Sequence, residues 1–421
     1  MAQRDVVRRS LSGGAMIAVA VGVMNLATYG FNIIAAHLLG PQPYGAVAAL
    51  LNVLLVLMVM QLALQASAAR RIAADPSHAH EVEVTMRRVG WHAALGLGAL
   101  CILLSPLINL GLRLHSLETA ALVGVTIVPL TLMGAHIGVL QGERRWAPVA
   151  LIYVVFGVSR LALGAAMMIW HPTELAAMIG VAVSAFAPIV VGELALRRTR
   201  HTRVDARSGE HSTRSMWTEI FHNGQALLAF FALSNVDVIV ARNVLSSHEA
   251  GLYAGGLILV KAGLFLPQFV VVLAFPSMGS ESARREVLLR SLALVASIGV
   301  VTAVGATVLS DLALTFVGGR QYAPIQHILW AFAVLGTVLS MLQLLVYSVL
   351  ARQARRSVLL VWAALVVVLV GGQFVHTFTT LLTLVLATDA TLFVVLLAIS
   401  LWRLQRPRTA QPATEPVQSS S

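Results

Sequence analysis

The chain has a single cysteine, Cys101, in 421 residues, which excludes an internal disulfide framework. Charge is as scarce: Asp, Glu, Lys and Arg make up 11% of the residues, and none occurs between Leu11 and Ala69. A soluble domain needs far more charged surface than this. Aromatic residues reach only 6%. No glycine-rich nucleotide motif occurs, which argues against an intrinsic ATP-driven machine. What the chain has is hydrophobicity. Apolar residues form 58% of it, mean hydropathy is +0.84, and apolar stretches of about 20 residues recur. Each stretch is long enough for one helical crossing of a bilayer, so the composition is that of an all-α polytopic membrane protein.

Hydropathy and turn signals place about twelve transmembrane helices, at 14–38, 46–68, 90–111, 119–140, 147–170, 174–196, 219–244, 252–275, 287–309, 325–350, 358–378 and 380–402. The first follows Arg4, Arg8 and Arg9 as a signal peptide would, but it is of full spanning length and is expected to remain as a helix. The distribution of basic residues tests the alternation, because cytoplasmic loops are enriched in Arg and Lys. With the N-terminus inside, 24 of the 29 basic residues fall on the cytoplasmic side, from Arg70, Arg71, Arg87 and Arg88 to Arg403, Arg406 and Arg408. Arg113, Arg242 and Arg320 fall outside, and Arg160 and Lys261 lie within spans. The net charge of +11 is therefore a matter of orientation rather than of nucleic-acid binding, and both termini are expected in the cytoplasm.

The longest interior connection divides the chain into a six-helix half at 1–196, a cytoplasmic linker at 197–218, a second six-helix half at 219–403, and a disordered, Pro- and Ser-rich cytoplasmic tail at 404–421. Setting Leu39 against Leu245 aligns "NIIAAHLLGPQPYGAVAAL" with "VIVARNVLSSHEAGLYAGG", matching Ile33 to Ile239, Ala35 to Ala241, Gly45 to Gly251 and Ala48 to Ala254. Each copy is a helix end, a short turn and a helix start, so the halves read as a parallel repeat.

The segment "AAHLLGPQPYGAVAALLNVLLVL" resembles the opening hairpin of bacterial polysaccharide flippases, with its Leu-Gly-Pro-x-x-Tyr-Gly pattern. "SNVDVIVARNVLSSHEAGLYAGGLILVKAGLFLPQFVVVLAFPSMG" resembles their second-half hairpin. These flippases belong to the multidrug/oligosaccharidyl-lipid/polysaccharide (MOP) exporter superfamily. The resemblance implies a MATE-like MOP fold, two six-helix halves around a central cavity in the bacterial cytoplasmic membrane. It also implies movement of a polyprenyl-diphosphate-linked oligosaccharide to the outer leaflet by alternating access. The protein is expected to act as a monomer among membrane lipids, beside polysaccharide biosynthesis enzymes.

Ionisable groups inside a bilayer are costly and usually face a bundle interior or a wet cavity. Counted at about 1.5 Å per residue from the span ends, Asp237, Lys261, Arg160 and Asp389 all lie roughly 12–15 Å deep. Arg160 and Lys261 suit a substrate diphosphate as cavity cations. Asp237 reads either as a structural ion-pair partner of Lys261 or as part of a transport site, and Asp389 as a partner of Arg160 or a carboxylate for a coupling proton or Na+. Arg242, near a helix end, is expected to snorkel, and Glu193 and His136 to be solvated. Pro129, Pro148, Pro188 and Pro267 are expected to kink or break helices, and Gly30, Gly255, Gly256, Gly371 and Gly372 to be close-packing sites. "DPSHAHEVE" at 75–83 reads as a solvated polar loop rather than a metal site, so no cofactor or metal is expected. Two alternatives compete with a flippase. An ion-coupled multidrug exporter needs an acidic or aromatic cavity, and a membrane-bound enzyme needs an external loop with room for catalytic groups, which the span map does not provide.

Overall fold

The computed structural model describes residues 2–197, 213–264, 281–350 and 355–405. The linker residues 198–212, the tail from 406, Pro267 and the far part of the expected eighth span lie outside the described residues. Among the described residues the chain is helical, with no strand. In order, the helices are α1 (Ala2–Leu39), α2 (Pro41–Leu57), α3 (Val59–Ala74), α4 (Ala79–Leu103), α5 (Ser105–Gly111), α6 (Leu117–Gly142), α7 (Trp146–Trp170), α8 (Glu174–Ser184), α9 (Ala187–Arg197), α10 (Thr213–Val244), α11 (Ser247–Gly263), α12 (Glu281–Val308), α13 (Ser310–Val317), α14 (Leu329–Leu350), α15 (Arg355–Gly372) and α16 (Phe378–Gln405). A 3-10 segment, Arg320–Ile328, precedes α14.

Among the described residues, nine helical segments are long and apolar enough to cross a membrane, and each coincides with an expected span. The expected third span is the pair α4 and α5, bent by 55° at Leu104, and the eleventh is the shorter apolar helix Ser357–Gly372. The eighth corresponds to α11. The chain is a multi-pass membrane protein, and its surface is arranged accordingly. Leu26, Leu103, Trp170, Val301 and Phe374 are each more than 70% exposed, whereas Asn52, Thr126, Thr131 and Ser340 are buried. Apolar side chains point out to lipid, and polar ones are kept for the interior.

Local chemistry sets the helix starts. Ser116 and Thr173 accept from the backbone N–H groups of Thr119 and Ala176, and Ser246 forms a reciprocal capping box with Glu249. Of the prolines expected to kink or break helices, Pro188 stands just after the break between α8 and α9. Pro129, expected to kink or break its helix, sits inside the continuous α6. Residues freed by a proline can be re-satisfied by neighbouring groups in a packed membrane bundle. The second span is interrupted at Met58, without a proline.

The two expected halves meet along α2, which packs on both α10 and α11. At one end of that seam Gly45 and Gly251, paired in the sequence alignment, lie face to face: a Cβ on Gly45 would stand 2.8 Å from the Gly251 Cα. A Cβ on Gly251 would stand 1.9 Å from the Pro41 carbonyl oxygen. Only glycine permits this backbone approach. Gly255 and Gly256 are likewise close-packed, against the rings of Tyr322 and Phe332, while Gly30 has no tighter neighbour than Leu161 at 3.7 Å. Gly251→Val is expected to cost about 1–3 kcal/mol by overpacking. It should lower the thermal midpoint in detergent, whereas Gly96→Val, with open space at its Cβ, should leave it unchanged.

Candidate functional site

Lys261 lies in the last turn of α11, facing a small cavity lined by Tyr29, Asn32, Tyr44, Leu51 and Asn52 from α1 and α2 and by Ala254, Leu257 and Ile258 from α11. Its ammonium donates to Asn52 Oδ1 from α2 and, at 3.4 Å, to Asn235 Oδ1 from α10. Both amides are buried and fixed in orientation. The Asn52 amide nitrogen donates to the Ala48 carbonyl at 2.7 Å, and that of Asn235 to the Phe231 carbonyl at 2.7 Å. With each NH₂ bound to its own helix, only the amide oxygens are left to face the ammonium.

Arg160, on α7, faces a second small cavity, lined by Leu51, Leu54, Thr126, Phe156 and Ser184 among others. Leu51 borders both cavities, so the two cations stand on either side of one leucine. The Arg160 guanidinium stacks 5.1 Å from the centre of the Phe31 ring, and its Nε has no hydrogen-bond partner. A cation on an aromatic face is held without being neutralised.

The carboxylates are placed differently. Asp237 is 3% exposed and Asp389 1% exposed, whereas Arg160 and Lys261 keep partial exposure. Asp237 accepts from the Tyr253 hydroxyl at 3.0 Å and from the Val238 N–H at 2.9 Å. It lies within electrostatic reach of Lys261 but makes no ion pair with it. Both oxygens of Asp389 are buried with no hydrogen-bond partner. Asp389 lies within reach of Asp237, not of Arg160, and Tyr253 lies within reach of both acids. The four charges thus form a chain in which the cations border cavities and the acids are buried within reach of Tyr253.

Arg242 departs from expectation. It does not snorkel: at 1% exposed it is among the largest fully buried side chains. Its Nε donates to the Leu112 carbonyl and its Nη2 to the Arg113 carbonyl, both at 2.8 Å. Arg113 returns the contact, donating from Nη1 to the Leu245 carbonyl at 3.1 Å and from Nη2 to that of Asn243. Each arginine therefore satisfies carbonyls at a helix end on the other side of the seam. Nearby, Gln321 donates to the Ala36 and His37 carbonyls at 3.1 and 3.0 Å, tying the start of the 3-10 segment to the end of α1. With the Gly45–Gly251 contact, these bonds close the end of the bundle that carries Gly40 and Ser246.

His136, near the opposite end, also differs from expectation, while Glu193 stays partly exposed. His136 is buried rather than solvated, and Glu193 accepts from Arg197 at 3.3 Å and pairs with Arg87 at 3.7 Å and His136 at 3.8 Å. These contacts join α4, α6 and α9 within one half. In "DPSHAHEVE", Asp75 accepts from Ser77 and His78, and those hydrogen bonds hold its carboxyl below the usual range.

Asn52, Asn235, Arg113 and Gln321 were missed by reasoning from sequence. For Asn52 a signal existed, a lone amide in the apolar run "ALLNVLLVL"; for Gln321 there was none.

A sequence profile for the family described as polysaccharide biosynthesis protein matches residues 10–280. Among curated proteins no sequence relative matches. Solved structures share the fold. An inward-facing multidrug resistance MATE family transporter of the MOP superfamily superposes with a TM-score of 0.69 at 15% identity, covering 93% of this chain and 97% of that one. The eukaryotic MATE transporter AtDTX14 gives 0.63 at 13% identity, with 93% and 96% covered. A MOP superfamily transporter from Pyrococcus furiosus, described as having a binding pocket of reverse polarity that suggests a different function, gives 0.61 at 15% identity, with 93% and 95% covered.

Proposed function

The chain belongs to the polysaccharide biosynthesis protein family, and from that membership we propose that this transporter of the MOP superfamily moves a polyprenyl-diphosphate-linked oligosaccharide across the bacterial cytoplasmic membrane. The observation that carries the reading is the asymmetry of charge at the seam: two cations border cavities, and neither is in contact with a carboxylate. Such groups suit an anion, and a lipid diphosphate is the anion this family's chemistry calls for. The polyprenyl tail would stay in lipid while Arg160 and Lys261 draw the headgroup inward.

The expected halves, 1–196 and 219–403, would alternate about the α2 seam. The arginine distribution supports an orientation with the sealed Gly40 end outside and the termini in the cytoplasm. The cavities of the described conformation have room for little more than about one water molecule each, so a glycan requires the seam to open. Asp389, buried without a donor, is suited to take a coupling proton or Na+.

The second reading, a multidrug exporter of cationic compounds, needs acids at the cavity surface, and here Asp237 and Asp389 are sealed away from it. That the Pyrococcus furiosus relative is described by a pocket of reversed polarity supports treating polarity as a guide to function within this fold.

Deletion of the gene distinguishes the two. Lipid-linked oligosaccharide should accumulate at the cytoplasmic face, measured by extraction and by its protection from external glycosidases. Drug sensitivity without accumulation would overturn the flippase reading.

A further inference from the structure

An ammonium has three N–H donors, and in Lys261 two of them meet amide oxygens from different sides of the seam: Asn235 on α10, in the lysine's own half, and Asn52 on α2, in the other. The amide nitrogens are committed to the Ala48 and Phe231 carbonyls, so neither side chain can turn to offer a donor without losing that bond. Two neutral acceptors orient the ammonium without cancelling its charge. The third donor is left for the cavity that Lys261 lines.

We infer that Asn52 is a positioning residue that couples headgroup binding to separation of the halves: it holds Lys261 across the seam until a phosphate oxygen displaces it. This rests on the flippase reading above and deepens it. A phosphate oxygen is a charged acceptor and outcompetes a neutral amide for an ammonium N–H. The displaced bond is the one that crosses the seam, because Asn235 moves with Lys261. A ligand shifts a conformational equilibrium only by binding one state better than the other. Here the difference arises because the closed seam makes the ligand compete with Asn52 and the open seam does not. Asn235 has a separate task, keeping the ammonium aimed at the cavity in both states.

The test uses the full chain in lipid nanodiscs, with spin labels at Glu118 and His248, exposed positions on opposite sides of the seam at the Gly40 end. The probe is farnesyl diphosphate, and farnesol is the control for the tail alone. In the parent protein the diphosphate should bind and shift the inter-label distances, and farnesol should not. Asn52→Ala should populate the shifted distances without ligand and bind the diphosphate as tightly or more tightly. Asn52→Asp should pair with Lys261 across the seam, weaken binding by roughly 10-fold or more, and abolish the shift. Asn235→Ala should weaken binding while leaving the ligand-free distances unchanged. Thermal midpoints of all variants separate these effects from misfolding.

If the parent protein binds the diphosphate and shifts, but all three Asn variants shift as it does, the role of Asn52 is overturned while the flippase reading stands. If the parent protein binds farnesyl diphosphate no better than Lys261→Met does, both fall.

Discussion

Exchanging the charges of Asp237 and Lys261, by Asp237→Lys with Lys261→Asp, is expected to abolish transport as completely as either single alanine variant. Two residues level in the membrane and opposite in charge invite the idea of a structural ion pair, and a structural pair tolerates reversal. The surroundings do not. Aspartate at 261 would face the oxygens of Asn52 and Asn235, whose amide nitrogens are turned to carbonyls of their own helices. Lysine at 237 would replace a carboxylate that accepts from Tyr253 and Val238 with a group that has no acceptor capacity. Stranding a buried charge costs about 3–5 kcal/mol, roughly 100-fold or more in any equilibrium that needs the native arrangement. Translocation of lipid-linked oligosaccharide by reconstituted vesicles measures it. Transport retained in the exchange but lost in both single variants would mean that the pair merely holds helices together.

Removing the buried guanidinium at the other level of the seam should have an effect of similar size and a different kind. Arg242→Met keeps much of the side chain's bulk but deletes two charge-assisted bonds to the Leu112 and Arg113 carbonyls. Such bonds contribute about 1.5–3 kcal/mol each. Because donor and acceptors belong to opposite sides of the seam, the loss should appear mainly as opening of the Gly40 end. A cysteine placed at Ala48, which lines the Lys261 cavity, reports this in a Cys101→Ser background. A membrane-impermeant thiol reagent added outside intact cells should leave it unmodified when Arg242 is present and modify it rapidly in Arg242→Met. Equal protection in both would remove the clasp from any account of gating. Arg113→Ala should have a smaller effect, since Arg113 itself is exposed.

The spans were legible because hydropathy and loop charge vary along the chain, and both follow from the bilayer alone. Depth was legible for the same reason: counting from a helix end locates Arg160, Lys261, Asp237 and Asp389 along the membrane normal. Direction around the helix was not. Depth made Asp237 and Lys261 look like partners, whereas their contacts are Tyr253 for one and Asn52 and Asn235 for the other. Arg242 sits near a helix end, as a snorkelling residue would, yet points across the seam. For helices polar on little of their circumference, sequence carries only a weak signal of which face meets which neighbour. The glycine pair was visible as an alignment of Gly45 with Gly251, but that the two glycines touch depends on how the helices pack. Asn52 and Lys261, 209 residues apart, meet only through that packing.

The reciprocal arginine contacts bear on leakage. A transporter that seals one face with paired side-chain acids and bases loosens whenever the outside turns acidic, because one partner loses its charge. Guanidinium groups keep theirs at any pH a cell meets, and backbone carbonyls do not titrate. A closure of guanidinium on carbonyl therefore holds equally in neutral and acid surroundings. Under the flippase reading, such a closure is expected to keep protons and ions from following the pathway while no substrate is being carried.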